Sequence, residues 1–568
     1  MGAFDFMYEK FAPLTFAVAL GWGANAQNES CRYFPGDDLW PSVADWAQLN
    51  DTVGGRLIAT VPLGAPCHDP TYDATVCGTL QASWISPELH DESSSSVMAP
   101  FFANQSCDPF TATDTPCTLG NYVQYAINVS SADDAIAGIR FATDKNVRLV
   151  IRNTGHDYLG KSTGAGSLGL WMHHLKDIEI IDYSDAHYTG KAIKIGAGVQ
   201  AGEAADAADA QGLVTIGGNS PTVGIAGGYS QGGGHTPLAS KYGMAADQVL
   251  EWEVVDGLGN VHIANRQNNT DLYWAMSGGG GSTYGVALAM TAKLYEDIPV
   301  SGANISFASA NISSDSFWDA IEKWSEVISP LLDKGIVANS YAMNTSFAVA
   351  PITAPGISAD ELSSLLQPYL SYLDSLGIPY QHSVVQFPGY LAQHDAMTPV
   401  QGVGTTQGGS WIIPRAVVRE RNDELTAAFR SVANDGGIVV NLHLRPSKEV
   451  AGDVDNAVLP AWRDADMASV IATLWNFTAP WSEMVADQEK ITNKYVPMFS
   501  SLAPESGTYM NEADYNQPDW QTAFYGANYD RLRSVKAKYD PHDIFYATTA
   551  VGSDEWVIHE GGRLCKVN

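Results

Sequence analysis

The chain has 568 residues, with Lys+Arg 31 against Asp+Glu 63 and a formal net charge of -32. That length exceeds what one core usually organises, so two domains are expected, one of them possible as a discontinuous unit, with room to bury a large cofactor. The charge excludes nucleic acid and anionic membrane as partners and favours small neutral or cationic ligands, while 45% hydrophobic and 10% aromatic content exclude disorder on the scale of the whole chain.

Residues 12–26 form an apolar segment ending in Ala24-Asn25-Ala26, the small-residue pattern of a cleavage site. Residues 1–26 are therefore expected to be a secretory signal, although Asp5 and Glu9 offset Lys10 at its start. Nine Asn-x-Ser/Thr sequons, at Asn28, Asn50, Asn104, Asn128, Asn268, Asn304, Asn311, Asn344 and Asn476, agree with export and are expected on the surface. Of six cysteines, the short spans Cys67 to Cys77 and Cys107 to Cys117 suggest local disulfides. Cys31 and Cys565 are left to join the chain ends. No close CxxC pair exists, so no metal site is expected. Residues 27–118 read as a disulfide-pinned lead with little periodicity, including Ser93 to Ser96.

Regular order begins near Asn121. Val123, Tyr125, Ile127 and Val129 alternate as in a half-buried strand. Ser130 or Ser131 then caps a helix with Ala135, Ile136, Ile139 and Ala142 on one face. Val147 to Ile151 is a buried strand, and this βαβ pattern delivers the polar loop Arg152 to Gly164 at a strand's carboxyl end, where open α/β sheets bind ligands. Such a loop presents amides that hold phosphate without basic side chains. His156, directly after Gly155, projects from a tight turn. By itself the loop reads more simply as a surface turn; a second loop changes that balance.

Residues 192–199 are a predicted strand, Glu203 to Gln211 a short helix, and Leu213 to Ile216 a strand entering residues 217–235. Eight glycines in the eighteen residues ending at Gly234 exclude a packed regular element. A flexible linker would be polar, but Val223, Ile225 and Tyr229 are present, so close approach of backbone to a flat or extended ligand is the better account. Val249 to Val255 and Val261 to Ala264 form a hairpin around Asp256 to Asn260, and Trp274 precedes a third glycine cluster, Gly278 to Gly281. From about residue 301, helices at Ser316 to Ser329 and Ala359 to Leu376 alternate with strand-like runs Tyr341 to Ala350, Ile438 to Leu444 and Ser469 to Trp475. A last helix, Tyr529 to Tyr539, stops at Asp540-Pro541.

Three short motifs mislead. Gly155 to Ser162 matches GxxxxGK(S/T) but opens no helix, so a nucleotide P-loop is rejected. Gly164 to Gly169 matches GxGxxG without a strand before it. Gly196 to Ala201 has a strand before it and a helix after it, but Gly217-Gly218-Asn219 stands where a dinucleotide site wants an acidic residue.

Taken together, the His156 loop, Ser220-Pro221-Thr222-Val223-Gly224, Trp274 with its glycines, Asn528-Tyr529-Asp530-Arg531-Leu532 and Asp540-Pro541 resemble the FAD-linked oxidases of the vanillyl-alcohol oxidase superfamily. Most closely they resemble the fungal berberine-bridge-enzyme-like group, over roughly residues 31–560. The resemblance implies an α+β chain: a two-part, PCMH-type FAD-binding domain, residues 119–300 with a returning C-terminal segment 521–568, and an α+β substrate domain with an antiparallel sheet, residues 301–520. It implies that a ring nitrogen of His156 bonds the 8α-methyl of FAD. Many relatives add a bond from a cysteine just before Pro-Thr-Val-Gly to flavin C6; Ser220 stands there, so a single covalent bond is expected, with no 6-S-cysteinyl link.

By the same resemblance, the backbone of Arg152, Asn153, Thr154, Gly155 and Asp157, and of Gly218, Ser220, Pro221, Thr222, Val223, Gly224, Gly227 and Gly228, cradles FAD, and Asn511 contacts the flavin. Val223 matches a position where a small side chain admits oxygen, favouring an oxidase. Tyr158, His235, His443 and Tyr509 are candidates for the base that takes a substrate proton. Each has a plainer reading: the tyrosines as walls of the ring, His235 as a partner of a glycine turn, His443 as a satisfied core histidine. Trp462, Trp475 and Trp481 could stack on a substrate.

The expected protein is a secreted, glycosylated monomer that passes a hydride from an alcohol, sugar or phenolic metabolite to covalent FAD and then reduces molecular oxygen to hydrogen peroxide. Its expected partners are that small-molecule substrate and oxygen. A secreted flavoprotein that isomerises or cyclises a metabolite, and a non-catalytic glycoprotein without flavin, are the alternatives.

Overall fold

The computed structural model describes residues 30–399 and 402–567. The expected signal segment and Asn28 lie outside these residues.

The first sheet has the order Leu57–Ala59, Tyr125–Asn128, Ser167–Trp171, Arg148–Arg152. Its first pair is antiparallel and the other two are parallel. The crossover helix Ala132–Asp144 buries Ala135, Ile139 and Ala142 as its spacing predicts, with Asp133 and Asp134 in the first turn where the helix dipole favours them. Ser131 occupies the N-cap, but its side chain makes no cap bond. Instead the Ser130 amide and hydroxyl both donate to Asp134. The predicted βαβ unit is thus interrupted: Ser167–Trp171 inserts between its two strands. That strand is buried at every position, so it shows no alternation, and its glycine made it read as loop.

A second, wholly antiparallel sheet runs Ile178–Ser184, Thr189–Gly196, Val286–Lys293, Val249–Val255, Val261–Asn265. Its last pair is the predicted hairpin. The third sheet has seven antiparallel strands in the order Tyr380–Phe387, Val300–Ala308, Ser346–Pro355, Val337–Ala342, Ile438–His443, Ala465–Leu474, Thr406–Pro414. The single run expected at Tyr341 to Ala350 is two strands folded back at Met343, whose amide bonds the Ser346 carbonyl at 3.0 Å.

Helices Ser314–Leu332, Ala359–Ser375 and Asn422–Asn434 pack on one face of this sheet. The first begins at Ser313, whose side chain caps the Ser316 amide, and buries Phe317, Ile321, Trp324, Ile328 and Leu331 at helical spacing. At the end of the chain, helix Tyr529–Tyr539 returns to the first two sheets. The Gly257 amide bonds the Tyr539 carbonyl at 2.8 Å, and buried Lys536 donates to the Thr283 and Phe545 carbonyls and pairs with Asp540.

Cys31–Cys565, Cys67–Cys77 and Cys107–Cys117 are joined. The pinned lead is more ordered than its composition suggests. It forms helices Val43–Thr52, Ala74–Ser83, Pro87–Asp91 and Pro100–Ala103, and buries Ser94, Ser95 and Ser96. Of the described sequons, Asn104, Asn268, Asn311, Asn344 and Asn476 are exposed, whereas Asn50, Asn128 and Asn304 are half-buried because each lies in or beside packed secondary structure.

Candidate active site

A cavity of about 540 Å³ is lined by residues from the first sheet's loops, the glycine-rich loop, the seven-stranded sheet and the pinned lead. Of the expected cofactor residues, Asn153, Thr154, Gly155, His156, Asp157, Gly218, Ser220, Val223, Gly224, Gly227, Gly228 and Asn511 line it. Arg152, Pro221 and Thr222 do not.

The His156 loop is built on Arg152. Its fully buried guanidinium donates to the His90 carbonyl at 2.8 Å and the Thr154 carbonyl at 3.2 Å. Gly155 closes over that guanidinium with φ of 93°; a Cβ there would lie 2.5 Å from Arg152 Nη1. Arg152 thus supports the loop from beneath. Asp157 then accepts from the Leu159 amide at 2.9 Å and the Ser162 amide at 3.1 Å, fixing the turn. No helix follows Ser162, as expected for a chain without a P-loop. Lys161 lines the cavity, and burial lowers its ammonium to about 8.

The glycine-rich loop is pinned by backbone bonds from Ala201 to the Val223 carbonyl and from Gly202 to the Pro221 carbonyl. Part of it, Ile225–Tyr229, is a wide helical turn broken at Gly227, so the loop is more regular than its glycine content predicts. Gly224 packs on Asn153, where a Cβ would lie 2.4 Å from Oδ1. At Gly228 a Cβ would meet nothing within 4 Å, because that position opens on the cavity. Asn153 Oδ1 and Asn219 Oδ1 are buried without hydrogen-bond partners, and both residues line the cavity. An open cradle of main chain with unpaired polar atoms at its edge fits FAD.

His156 Nε2 lies 2.7 Å from Thr222 Oγ1, which lies 3.3 Å from Ser220 Oγ. Burial, then the neighbouring His90 and Arg152, lowers the imidazole to about 4, so it is neutral at ordinary pH. Trp274 does not line the cavity; it is buried under the Arg531 guanidinium, 3.7 Å from its ring centre. The glycines after it do approach: the Gly278 and Gly280 amides bond the Gln231 carbonyl and Gly281 reaches the cavity.

The sheet supplies the other wall. Ile438, Val440 and Leu442 line the cavity, so the pleat turns Val439, Asn441 and His443 toward the helices. His443 is accordingly removed from the cavity: its Nε2 accepts from Trp324 Nε1 at 3.3 Å, lies 2.9 Å from Ser340 Oγ, and burial lowers the ring to about 3. The core-histidine reading describes it. Asn339, Tyr341, Val470, Ala472 and Trp475 complete this wall, and Phe101 and Phe102 join it from the pinned lead. Trp481 stacks on Phe101 at 5.4 Å and Trp462 is buried edge-on to Tyr509; neither lines the cavity.

Tyr158, His235 and Tyr509 do line it. His235 Nε2 is 2.8 Å from Glu512 Oε1, and Glu512 is also on the wall. Tyr509 receives a hydrogen bond from Asn511 Nδ2 at 2.9 Å; burial and then Glu512 push its phenol well above the usual range. The Tyr158 phenol, although the residue is 47% exposed, is raised as well. Both phenols are therefore protonated, whereas His235, paired with Glu512, is a group on the wall that can take up a proton. Glu512 was missed in the sequence although it directly follows Tyr509-Met510-Asn511; an isolated glutamate carries no spacing signal.

Residues 123–265 match the family model of an FAD binding domain, and residues 508–552 match the model described as berberine and berberine like. The chain is 46% identical over 542 residues to the FAD-linked oxidoreductase patO of Penicillium expansum, covering 95% of each chain. It is 44% identical over 577 residues to the bifunctional decalin synthase calF of Penicillium decumbens, covering 98% of this chain and 100% of that one. The crystal structure of the VAO-type flavoprotein MtVAO615 from Myceliophthora thermophila C1 superposes with a TM-score of 0.91 at 40% identity, covering 95% of this chain and 100% of that one. The fold is the VAO-type, PCMH FAD-binding fold, and the chain belongs to the berberine-bridge-enzyme-like FAD-linked oxidoreductases of the vanillyl-alcohol oxidase superfamily.

Proposed function

We propose that this FAD-linked oxidoreductase is an oxidase acting on a CH–OH group of a weakly polar, phenolic or otherwise apolar alcohol, with oxygen as acceptor. The observation that carries this reading is the His235–Glu512 pair, 2.8 Å apart, in a cavity whose sheet face presents Ile438, Val440, Leu442, Val470 and Ala472. A sugar would leave hydroxyls unpaired against those five side chains, since Asn339, Tyr341, Thr406 and Gln407 are the polar groups that the sheet adds to the cavity. FAD, when bound, accepts a hydride from carbon and passes two electrons to oxygen, giving hydrogen peroxide. The hydroxyl proton goes to His235, which Glu512 orients and stabilises once charged. Asn511 and Tyr509 hold the polar end of the cavity in place.

The reading includes a single covalent bond between His156 and FAD, since Ser220 offers no thiolate. Three disulfides and five exposed sequons support export and glycosylation. A second reading, ring closure or isomerisation of a metabolite, is favoured by the similarity to a bifunctional decalin synthase. Oxygen uptake and peroxide release with vanillyl alcohol, cinnamyl alcohol and glucose separate the readings. The oxidase reading expects turnover of an aryl or allylic alcohol and none of glucose. Flavin bleaching without oxygen uptake, or turnover of glucose alone, contradicts it.

A further inference from the structure

In the Ser220-Pro221-Thr222-Val223-Gly224 loop, Pro221 and Thr222 stay out of the cavity, yet the Thr222 hydroxyl is the hydrogen-bond partner of His156. Its position is tightly set. The loop is held on both sides by the Gly202-to-Pro221 and Ala201-to-Val223 backbone bonds. The Thr222 carbonyl itself accepts from Gln200 Nε2 at 3.0 Å, and the same amide group reaches Asp91 Oδ2 at 2.6 Å. Only a neutral imidazole nitrogen with a free lone pair can form a bond to carbon, and the two ring nitrogens are made different by what each is bonded to.

We infer that Thr222 is the positioning residue for flavin attachment: its Oγ1 accepts the Nε2–H of His156, holds the ring in that tautomer, and leaves the Nδ1 lone pair to form the bond to the 8α carbon. The inference rests on the covalent reading above. One C–H bond of the methyl group breaks as the Nδ1–C bond forms. A second hydrogen leaves Nε2 as a proton, and Thr222 Oγ1, with Ser220 Oγ 3.3 Å beyond it, is the first acceptor on its way out. Two electrons leave with the two protons, and molecular oxygen takes all of them to become hydrogen peroxide, so the flavin ends oxidised and the imidazole neutral. Thr222 acts only through His156 and touches neither substrate nor cavity.

The test compares the wild type, Thr222→Ser and Thr222→Val. For each protein the visible spectrum gives total bound flavin, and acid precipitation followed by peptide mass spectrometry gives the covalent fraction at successive harvest times. Thr222→Val keeps the shape and removes the hydroxyl. Total flavin is expected to be equal in all three, with attachment at His156 on the order of 100-fold slower in Thr222→Val and restored in Thr222→Ser. Covalent flavin in Thr222→Val at the wild-type rate, or failure of Thr222→Ser to restore it, overturns the role of Thr222. Wild-type protein whose flavin is all released by acid overturns the covalent reading, and the inference with it. A Thr222→Val protein that binds no flavin at all assigns Thr222 to the cradle instead.

Discussion

The wall made by residues 153–162 and 218–231 brings five glycines to the cavity, Gly155, Gly218, Gly224, Gly227 and Gly228, whereas the wall made by the seven-stranded sheet meets the cavity as alternate side chains. The first depends on glycine and on what lies beneath the loop: Arg152 under Gly155, Asn153 against Gly224. The second depends on parity. Leu442 and His443 are neighbours in sequence, but one faces the cavity and the other the Trp324 helix. Cofactor binding is thus fixed by places where no side chain fits, and substrate choice by which member of each strand pair points inward.

Substitutions can break this contrast. The largest effect is expected from Gly228→Val. Position 228 has ordinary backbone angles and open space at its Cβ, so the chain folds but the cradle is filled. Purified Gly228→Val protein is expected to be colourless, with melting temperature near that of the wild type. A yellow protein would mean that the cradle lies elsewhere.

Next is the polar end of the sheet-side wall. Glu512→Gln is expected to retain flavin and lower kcat on an accepted alcohol by about 100-fold with little change in KM. The dependence of kcat on pH is then expected to change as well. An unchanged pH profile would remove Glu512 from proton transfer.

The parity rule itself is sharpened by a neighbouring pair. Leu442→Trp is expected to raise KM by roughly tenfold or more, since it fills the cavity at the cost of ordinary substrate contacts. His443→Ala is expected to leave KM alone and to destabilise the fold by about 2 to 4 kcal/mol, through a cavity and the loss of partners for Trp324 Nε1 and Ser340. Exchange of these two outcomes would contradict the strand register.

The smallest effect is on acid stability. His90, whose Nε2 donates to the Trp84 carbonyl, is lowered by burial to about 4, and His443 to about 3. Both stay neutral in the folded chain, so their contribution is whole above 6.5, the ordinary value, and is lost as the pH falls through 6.5 toward their folded values. Asp91, raised to about 6 by burial, acts in the opposite sense between 6 and 3.8. His156 and His173, lowered to about 4 as well, act with His90 and His443, and the four histidines outweigh the carboxyls that burial raises, Asp91, Asp108, Asp297 and Asp514 among them, so the melting temperature is expected to fall by a few degrees from pH 7 to pH 4.5. A rise over that range would contradict the burial of these rings.

The same contrast explains what was legible in the sequence. Gly155-His156 and the cluster from Gly217 to Gly234 stand out because main-chain contact requires glycine, and glycine is conspicuous. The wall of Tyr341, Val440 and Leu442 was not legible: a run such as Ile438 to Leu444 is apolar on both faces, because one face packs helices and the other a cavity, so the side chains carry no sign of which is which. The resemblance puts His443 on the substrate-side strand, and the sequence leaves open whether it faces the site or the core. Ser167–Trp171 escaped notice because a strand buried at every position does not alternate, and Phe101 and Phe102 because a proline- and serine-rich lead carries no period. The resemblance makes Arg152 part of the cradle; its burial beneath Gly155 depends on a contact with His90, distant in sequence.

The most direct test of the account is the visible spectrum of the purified protein, followed by acid precipitation. Flavin absorbance that stays in the pellet in wild-type protein, and passes to the supernatant in His156→Ala, is the predicted result. Wild-type flavin released to the supernatant, or a His156→Ala pellet that stays yellow, would contradict the place given to His156 at the centre of the site.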